Sequence, residues 1–366
     1  MSGESAPAFK TIPHHAPVAD AERAALLANP DFGRVFTDHM VTIRYNTDAG
    51  WHDATVEARR PITMDPAAAV LHYAQEIFEG MKAYSLEGGG AVLFRPDANA
   101  RRFANSAERL AMPALPEDMF IQSVSQLVSI DRAWIPTTPG GSLYLRPFMI
   151  AGEAFLGVKP ASDYLYMVIA SPVGSYFKSG PKPISVWVSR SYTRAAPGGT
   201  GAAKCGGNYA ASLPAQAEAM RQGCDQVVFL DAIERRWVEE LGGMNVFFVF
   251  DDGSLVTPPL SGTILPGITR DSIITLARAS GLDVREEPYS IEQWRADAES
   301  GRLREAFACG TAAVIAPIGE VKDGAGSFSM AQGRENDSVA QSLRRSLTDL
   351  QRGAAADAYG WVHRVF

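Results

Sequence analysis

Residues 196–209 read Ala-Pro-Gly-Gly-Thr-Gly-Ala-Ala-Lys-Cys-Gly-Gly-Asn-Tyr and contain a single charged side chain, Lys204. The glycines around it allow sharp turns and let other groups approach the backbone closely. A lysine removed from water has a lowered pKa, and its neutral amine can attack a carbonyl carbon. The stretch therefore favours a reactive lysine. The alternative is a flexible surface loop in which the lysine has no role.

Two other glycine-rich motifs do not fit this stretch. A phosphate-binding P-loop has Gly immediately before its Lys and Ser or Thr after it, whereas Ala203 and Cys205 flank Lys204. A dinucleotide-binding fingerprint that starts at Gly199 would need its third glycine at position 204, which is the lysine. A lysine that forms a Schiff base is typical of enzymes that use pyridoxal 5'-phosphate (PLP), and this cofactor is the working hypothesis.

The composition narrows the class of protein. A length of 366 residues predicts two domains. A net charge of −7 without a long basic run argues against nucleic-acid binding. Because no apolar run of about 18 residues and no signal-peptide pattern is present, we expect a cytoplasmic protein without membrane contact. Three separated cysteines fit a reducing compartment, and the histidine spacing predicts no metal site.

Strand and helix patterns alternate in both halves of the chain, which predicts an α/β (mixed α+β) fold in two domains. Proline and glycine cluster at residues 174–183 and predict an interdomain linker there. The N-terminal domain is then 1–173 and the C-terminal domain, with Lys204, is 184–366. The apolar spacing from Val70 to Ile77 predicts a helix that opens at Asp65-Pro66.

The segment Lys204-Cys205-Gly206-Gly207-Asn208-Tyr209 resembles the cofactor-lysine segment of branched-chain amino acid aminotransferases. These are PLP enzymes of fold type IV, with the D-amino acid aminotransferase-like two-domain fold. The likeness runs from about Phe32 to near the C-terminus. It implies transamination of L-leucine, L-isoleucine and L-valine with 2-oxoglutarate, which gives branched-chain 2-oxo acids and L-glutamate. It also implies a homodimer whose PLP is held by Lys204.

The remaining cofactor contacts follow from the same resemblance, and physical arguments support some of them. A helix that starts near Pro266-Gly267 presents amide N–H groups to an anion, although an ordinary capped helix start is the alternative. An arginine near the start of a helix over residues 98–112 opposes the helix dipole, a conflict that a bound phosphate would resolve. The implied phosphate and ring contacts are Arg102, Tyr209, Ile268, Thr269 and Thr311.

Two adjacent carboxylates, Glu239 and Glu240, compete for the role of partner to the PLP ring nitrogen. Neighbouring strand residues point to opposite faces, so only one of the two can reach the ring, and the pattern alone does not choose. The resemblance assigns Glu240 and leaves Glu239 solvated. Gly243 stands where many relatives carry a larger residue, so a side-chain contact of that residue is missing here.

The resemblance also implies a substrate pocket with apolar walls and a few polar groups. Tyr144 and Arg146 share one face of a predicted strand. A buried arginine needs an anion, either the γ-carboxylate of glutamate or a structural Asp or Glu. For the other aromatic side chains the alternative is core packing. The implied substrate contacts are Phe32, Tyr73, Phe78, Tyr144, Arg146, Tyr176, Thr311 and Ala312.

Two rival functions remain open from the sequence. One is another fold-type IV activity, such as a D-amino acid aminotransferase or an aminodeoxychorismate lyase. The segment Phe78-Glu79-Gly80-Met81-Lys82 and the pair Tyr144 and Arg146 favour the branched-chain group. The other rival is a non-catalytic binding protein, against which the lysine and Glu240 argue. Ala313 and Ala316 replace the Cys-x-x-Cys of some relatives, so we expect no thiol switch there.

Overall fold

The computed structural model describes residues 8–174, 182–330 and 338–366. The described chain divides into two compact units. Unit 1 contains residues 8–174, Ala203–Gly206 and Gln351–Phe366. Unit 2 contains residues 182–202, 207–330 and 338–350. None of the helices in these ranges is both long and apolar enough to cross a membrane.

The two units differ from the two predicted domains at one important place. Ala203–Gly206, with Lys204, group with unit 1, although the sequence assigned Lys204 to the C-terminal domain. The reason is that Lys204 makes its backbone hydrogen bonds to Phe78 and Ser106 of unit 1. The predicted linker at 174–183 lies mostly outside the described residues, and that boundary stays a prediction.

Unit 1 is a sheet with a layer of helices. Its strands are β1 (Lys10–Thr11), β2 (His39–Asn46), β3 (Gly50–Ala58), β4 (Glu76–Phe78), β5 (Met81–Ser85), β6 (Ala91–Phe94), β7 (Ser142–Ala151), β8 (Asp163–Val173) and β18 (Val362–Arg364). Its helices are α1 (Asp20–Ala28), α2 (Ala69–Tyr73), α3 (Pro96–Arg109), α4 (Glu117–Ile130) and a 3₁₀ turn, Arg132–Trp134.

The sheet of unit 1 has the order β1-β3-β2-β8-β7-β5-β6-β18, with β4 beside β7, and all pairs except β1 with β3 are antiparallel. β4 and β5 follow one another along the same edge of β7, and Glu79-Gly80 interrupts them. One sheet face packs on α3 and α4 through a core that includes Phe103, Phe120 and Leu145. A smaller cluster, with Ile150 and Met167, lies apart from that core.

Unit 2 contains the second sheet. Its strands are β9 (Ile184–Ser189), β10 (Gln226–Leu230), β11 (Val238–Leu241), β12 (Asn245–Phe250), β13 (Leu255–Thr257), β14 (Val284–Glu286), β15 (Leu303–Gly310), β16 (Val314–Asp323) and β17 (Gly326–Ser329). Its helices are α5 (Gly206–Arg221), α6 (Ile268–Ala279), α7 (Ile291–Ser300) and α8 (Val339–Gln351), of which α5 begins and α8 ends in unit 1.

This sheet is mixed, with the order β11-β10-β9-β16-β15-β12-β13-β14 and β17 beside β16. β9 runs parallel to both β10 and β16, whereas β12, β15 and β16 are antiparallel neighbours. The core contains Phe248 and Trp294, whose rings meet edge to face at 4.8 Å. The mixed sheets with helices in both units confirm the predicted α/β (mixed α+β) class.

The predicted helix from Asp65 through Ile77 is wrong. α2 spans only Ala69–Tyr73, because Ala74 adopts a left-handed conformation (φ 48°) that ends the helix. The chain then extends into β4, where Ile77 pairs with Met149 of β7. The apolar residues whose spacing predicted a helix therefore belong partly to a strand. β4 is important for the site because it lies beside the Lys204 segment.

Candidate active site

The backbone around Lys204 is held at three successive points within unit 1. Its N–H donates to Ser106 Oγ of α3 at 2.9 Å. Its carbonyl accepts the N–H of Phe78 on β4 at 3.0 Å. Two residues later, where α5 begins, the N–H of Gly206 donates to Glu76 Oε1. Since each bond joins the segment to a regular element, the lysine is fixed in place rather than carried on a loose loop.

The amine of Lys204 has an environment that favours its neutral form. Burial, with the nearby positive charge of Arg102, lowers its pKa to about 8, although the negative charge of Glu79 acts in the opposite direction. Its Nζ lies 4.8 Å from the centre of the Phe78 ring. A neutral amine in this position is a nucleophile near physiological pH, as the sequence predicted from the uncharged surroundings.

Glu79 and Arg102 form a buried ion pair next to this amine. Arg102 donates through Nε and Nη2 to the two carboxylate oxygens of Glu79 at 2.7 and 2.8 Å. Asn99 of α3 and the Gly80 N–H donate to the same carboxylate. Burial alone would raise the pKa of the fully buried Glu79 carboxyl, but Arg102 and Asn99 hold it below its usual range. Glu79 is therefore ionised.

Arg102 does not lie at the start of a helix, where the sequence placed it. Because α3 begins at Pro96, Arg102 lies in its second turn and not at the helix start, so the expected conflict with the helix dipole does not arise. Its charge is balanced by Glu79, a residue for which the sequence predicted no role of its own. A role for Arg102 on a phosphate stays a prediction.

Tyr144 and Arg146 occupy the same face of β7, as the alternation predicted. Arg146 Nη2 donates to the Tyr144 hydroxyl at 3.1 Å. Its guanidinium also lies over the Phe78 ring, 4.9 Å from the centre. Within the part of the chain that the structure describes, the buried Nε of Arg146 has no hydrogen-bond partner. Such a nitrogen suits a carboxylate ligand.

Three more predicted pocket residues have different outcomes. Phe32 is 52% exposed and meets the Tyr144 ring edge to face at 5.1 Å. Tyr73 is also exposed, and its hydroxyl donates to the Leu156 carbonyl. Phe32 thus joins the Tyr144 group, whereas Tyr73 points to the loop after β7. Tyr176 lies outside the described residues.

In unit 2, β11 holds both carboxylates of the Glu239-Glu240 pair, and both are buried. Arg194 Nη1 and the Leu265 N–H bind Glu240 Oε1 at 2.8 and 3.0 Å. The prediction that Glu239 is solvated is wrong, because Oε1 of Glu239 accepts the Thr263 hydroxyl at 2.5 Å. Burial raises the pKa of Glu239.

Glu239 also lines a cavity of about 230 Å³ whose walls include Trp237 and Pro258. The faces of β11 therefore separate two buried carboxylates of different character. Glu240 is fixed by an arginine, whereas Glu239 is held by a hydroxyl in an apolar cavity.

The start of α6 has the features of an anion site. Its N-cap is Gly267, so no side chain caps the helix. In the described structure the N–H groups of Ile268 and Thr269 make no hydrogen bond. A Cβ at Gly267 would overlap Oδ1 of Asn245, so a larger residue there would have to displace that side chain. This uncapped helix start is compatible with the phosphate of PLP.

The other residues predicted to lie near the cofactor are placed as follows. Tyr209 lies in the first turn of α5, and a Cβ at Gly243 would be 3.6 Å from its ring. A larger residue at position 243 would therefore contact the Tyr209 ring, whereas Gly243 leaves this space open. Thr311 and Ala312 lie in the turn between β15 and β16.

Several residues that organise these groups were missed by sequence reasoning. Glu76, Asn99 and Ser106 of unit 1, and Arg194 and Thr263 of unit 2, carry no motif. The two carboxylates Glu76 and Glu79, which stand on either side of the apolar pair Ile77-Phe78, were the one local signal that could have found some of them.

The fold and the site define a class of protein, an aminotransferase. Residues 76–321 match the family described as amino-transferase class IV. The chain belongs to this family, in its branched-chain-amino-acid aminotransferase group.

The relatives agree in sequence and in structure. The branched-chain-amino-acid aminotransferase of Mycolicibacterium smegmatis is 56% identical over 95% of this chain and 96% of its own length. The solved branched-chain amino acid aminotransferase of Escherichia coli superposes with a TM-score of 0.73 at 30% identity, over 90% of this chain and 99% of that one. The solved T.th. branched-chain amino acid aminotransferase complexed with N-(5'-phosphopyridoxyl)-L-glutamate has a TM-score of 0.69 at 28% identity, over 88% and 98%.

Proposed function

We propose that this aminotransferase transfers the amino group of L-leucine, L-isoleucine or L-valine to 2-oxoglutarate by means of PLP bound through Lys204. The observation that carries the proposal is Lys204, whose backbone segment is held by three hydrogen bonds and whose amine has a pKa lowered to about 8. The ligand of the T.th. relative, whose name joins a phosphopyridoxyl group to glutamate, supports both the cofactor and the amino-group acceptor.

The residues present fit PLP at two points. The uncapped start of α6 offers the N–H groups of Ile268 and Thr269 to a phosphate. Glu240, fixed by Arg194, is a carboxylate suited to hold a proton on a pyridine nitrogen. We also assign Arg102, Tyr209 and Thr311 to the phosphate and ring oxygen. When bound, PLP supplies a reactive aldehyde carbon and an electron sink for the bonds at the substrate Cα.

The chain's own residues then have separate tasks. Lys204 Nζ would hold the cofactor, and as a free neutral amine it can accept the proton of the substrate Cα. Its lowered pKa leaves a useful fraction neutral near pH 7.5, so that it can accept this proton. The Glu79–Arg102 pair is neutral as a whole. Neither the positive charge of Arg102 nor the negative charge of Glu79 therefore acts alone on the pKa of Lys204.

The pocket must accept two kinds of side chain. Phe78, Tyr144 and Phe32 offer aromatic surface to a branched aliphatic chain. We also propose Tyr73, Tyr176 and Ala312 as substrate contacts, on the resemblance alone. The buried Nε of Arg146, unpartnered within the described residues, suits the γ-carboxylate of glutamate. We further propose a homodimer, which the resemblance implies, in the cytoplasm, which the three separated cysteines fit.

A comparison of amino donors tests the proposal. We expect the purified enzyme with PLP to convert L-leucine, L-isoleucine and L-valine with 2-oxoglutarate, and D-alanine at least about a hundredfold more slowly. Arg146→Met should weaken L-glutamate far more than L-leucine, because it removes only the carboxylate partner. Faster turnover of D-alanine than of L-leucine would contradict the proposed substrates.

A further inference from the structure

Glu76 lies between the two parts of the site that the proposed function uses. It stands two residues before Phe78 on β4, so both side chains leave the same face of the strand. The Arg146 guanidinium lies over the Phe78 ring, 4.9 Å from the ring centre. On its other side, Glu76 Oε1 accepts the N–H of Gly206, at the end of the Lys204 segment. The Glu76 carboxylate therefore holds the end of the lysine segment and shares the sheet face of β4 and β7 on which Arg146 lies.

The second oxygen of this carboxylate is available for a proton. Within the described ranges, Oε2 of Glu76 has no hydrogen-bond partner, and no nitrogen of Arg146 lies within 4.0 Å of a Glu76 oxygen, the limit for an ion pair. Burial raises the pKa of Glu76, while the Gly206 hydrogen bond and the charge of Arg146 lower it. The ionised state of Glu76 thus depends in part on the positive charge of Arg146.

The charged and titratable groups on the elements that pack against β4 lie on β7 and α3. β7 carries Arg146 and Tyr144, and α3 carries Arg102 together with Asp97, Arg101, Glu108 and Arg109. Arg101 pairs with Asp97, and Glu108 and Arg109 are exposed. Glu79 lies beyond the end of β4, and Lys204 lies before α5. Glu79 and Arg102 balance each other. Arg146 has no carboxylate within 4.0 Å among the described residues, and its positive charge lowers the pKa of Glu76.

We propose that Glu76 is a specificity residue of the proposed dual-substrate reaction, whose carboxylate balances Arg146 under an aliphatic side chain and takes up a proton when a substrate γ-carboxylate binds Arg146. The inference rests on the proposed role of Arg146. With leucine bound, the charges of Arg146 and Glu76 offset each other. With the dicarboxylic substrate bound, the γ-carboxylate neutralises Arg146, and an ionised Glu76 would repel it. A solvent proton on Glu76 restores the balance.

The proposal predicts that dicarboxylate binding depends on pH in a way that aliphatic binding does not. Where Glu76 is ionised in the empty pocket and protonated in the occupied one, binding consumes up to one proton. The affinity then falls by up to about tenfold for each unit of pH increase. Titration of Lys204 affects both substrates alike, because both carry the same α-amino and α-carboxylate groups, so the ratio of the two substrates isolates Glu76.

Calorimetry on the PLP-loaded enzyme measures this proton directly. Glutarate and 4-methylvalerate are unreactive acids with and without the second carboxylate, and titrations in buffers of different ionisation enthalpy give the protons taken up. We expect glutarate to take up a substantial fraction of one proton more than 4-methylvalerate between pH 6 and 8. Equal proton uptake by the two acids in the unmodified enzyme would overturn the proposal, whatever a variant does.

Glu76→Gln sharpens the test, since glutamine keeps an oxygen for the Gly206 N–H but cannot ionise. We expect this variant to lose the extra proton uptake and to flatten the pH dependence of the L-glutamate to L-leucine ratio of kcat/KM. Glu87→Gln, which removes an exposed carboxylate of unit 1, should leave both unchanged. An unchanged slope in Glu76→Gln would refute the role of Glu76. Unchanged glutarate affinity in Arg146→Met would instead refute the proposed role of Arg146.

Discussion

Each unit contains a buried arginine–glutamate pair, and the two pairs serve different neighbours. In unit 1, the Glu79 carboxylate accepts hydrogen bonds from Nε and Nη2 of Arg102, from the Asn99 side chain and from the Gly80 N–H. In unit 2, Arg194 and the Leu265 N–H both bind Oε1 of Glu240. The first pair sets the electrostatic environment of Lys204, whereas the second orients the carboxylate that is itself the proposed functional group. The same kind of ion pair therefore influences the pKa of a third residue, Lys204, in unit 1. In unit 2 it positions the carboxylate of its own Glu240.

The largest effect is expected from removal of the residue that the first pair serves. Lys204→Ala should lower transamination of L-leucine by at least about 10⁴-fold, because both the cofactor link and the proton carrier are lost. Steady-state assays at saturating PLP measure this, with Lys159→Ala as an exposed control. Substantial turnover by Lys204→Ala would show that the lysine is not the reactive group.

The Glu79 pair should matter most for stability. Glu79→Gln leaves the charge of Arg102 buried without its counter-charge, and we expect the free energy of unfolding to fall by about 3–5 kcal/mol. Denaturant unfolding measures the loss, and Glu117→Gln, at an exposed ion pair, should cost less than about 1 kcal/mol. Equal losses in the two variants would mean that the buried pair contributes no more than a surface one.

Replacement of Glu240 and of its neighbour should separate orientation from burial. Glu240→Gln should lower kcat with L-leucine by about 10²-fold or more, because glutamine cannot hold a proton on the ring nitrogen. Glu239→Gln keeps an acceptor for Thr263 on the opposite face and should change kcat by less than about twofold. Similar kcat values for the two variants would remove the distinction between the faces of β11.

The smallest effect is a pH dependence of stability. The folded-state pKa of Lys204 is lowered to about 8 from the ordinary 10.5, so the unfolded chain binds more protons between these values. The free energy of unfolding of the PLP-free protein should therefore rise with pH across this range, by at most about 1.4 kcal/mol per unit from this group. Lys204→Met should lack this contribution. If its free energy of unfolding depended on pH in the same way as that of the unmodified protein, the pKa of Lys204 would not be lowered in the folded state.

The sequence predicted more of the fold than of the site's internal contacts. β7, β9 and β12 are each an apolar run closed by turn residues, a pattern from which a strand can be predicted. The end of α2 was missed because a left-handed alanine has no sequence signal. The solvated state predicted for Glu239 was wrong because a two-residue alternation gives the face of a strand but not what covers that face.

Long-range contacts account for the residues that were not found. Glu79 meets Arg102 across 23 positions, and Lys204 meets Ser106 across 98. No local pattern encodes such distances, and only the resemblance connected the lysine with residues far away in the chain. The lysine itself could be predicted, because its uncharged surroundings in the sequence reflect its burial in the structure.

The most direct test of the central claim, that Lys204 binds PLP in a pocket for branched-chain donors, is the visible absorption spectrum of the purified protein before and after L-leucine. We predict a yellow band that collapses when L-leucine is added and returns with 2-oxoglutarate, and that is absent from Lys204→Ala. A yellow band indifferent to L-leucine would contradict the proposed donor. No band in the unmodified protein after incubation with PLP would contradict the role of Lys204.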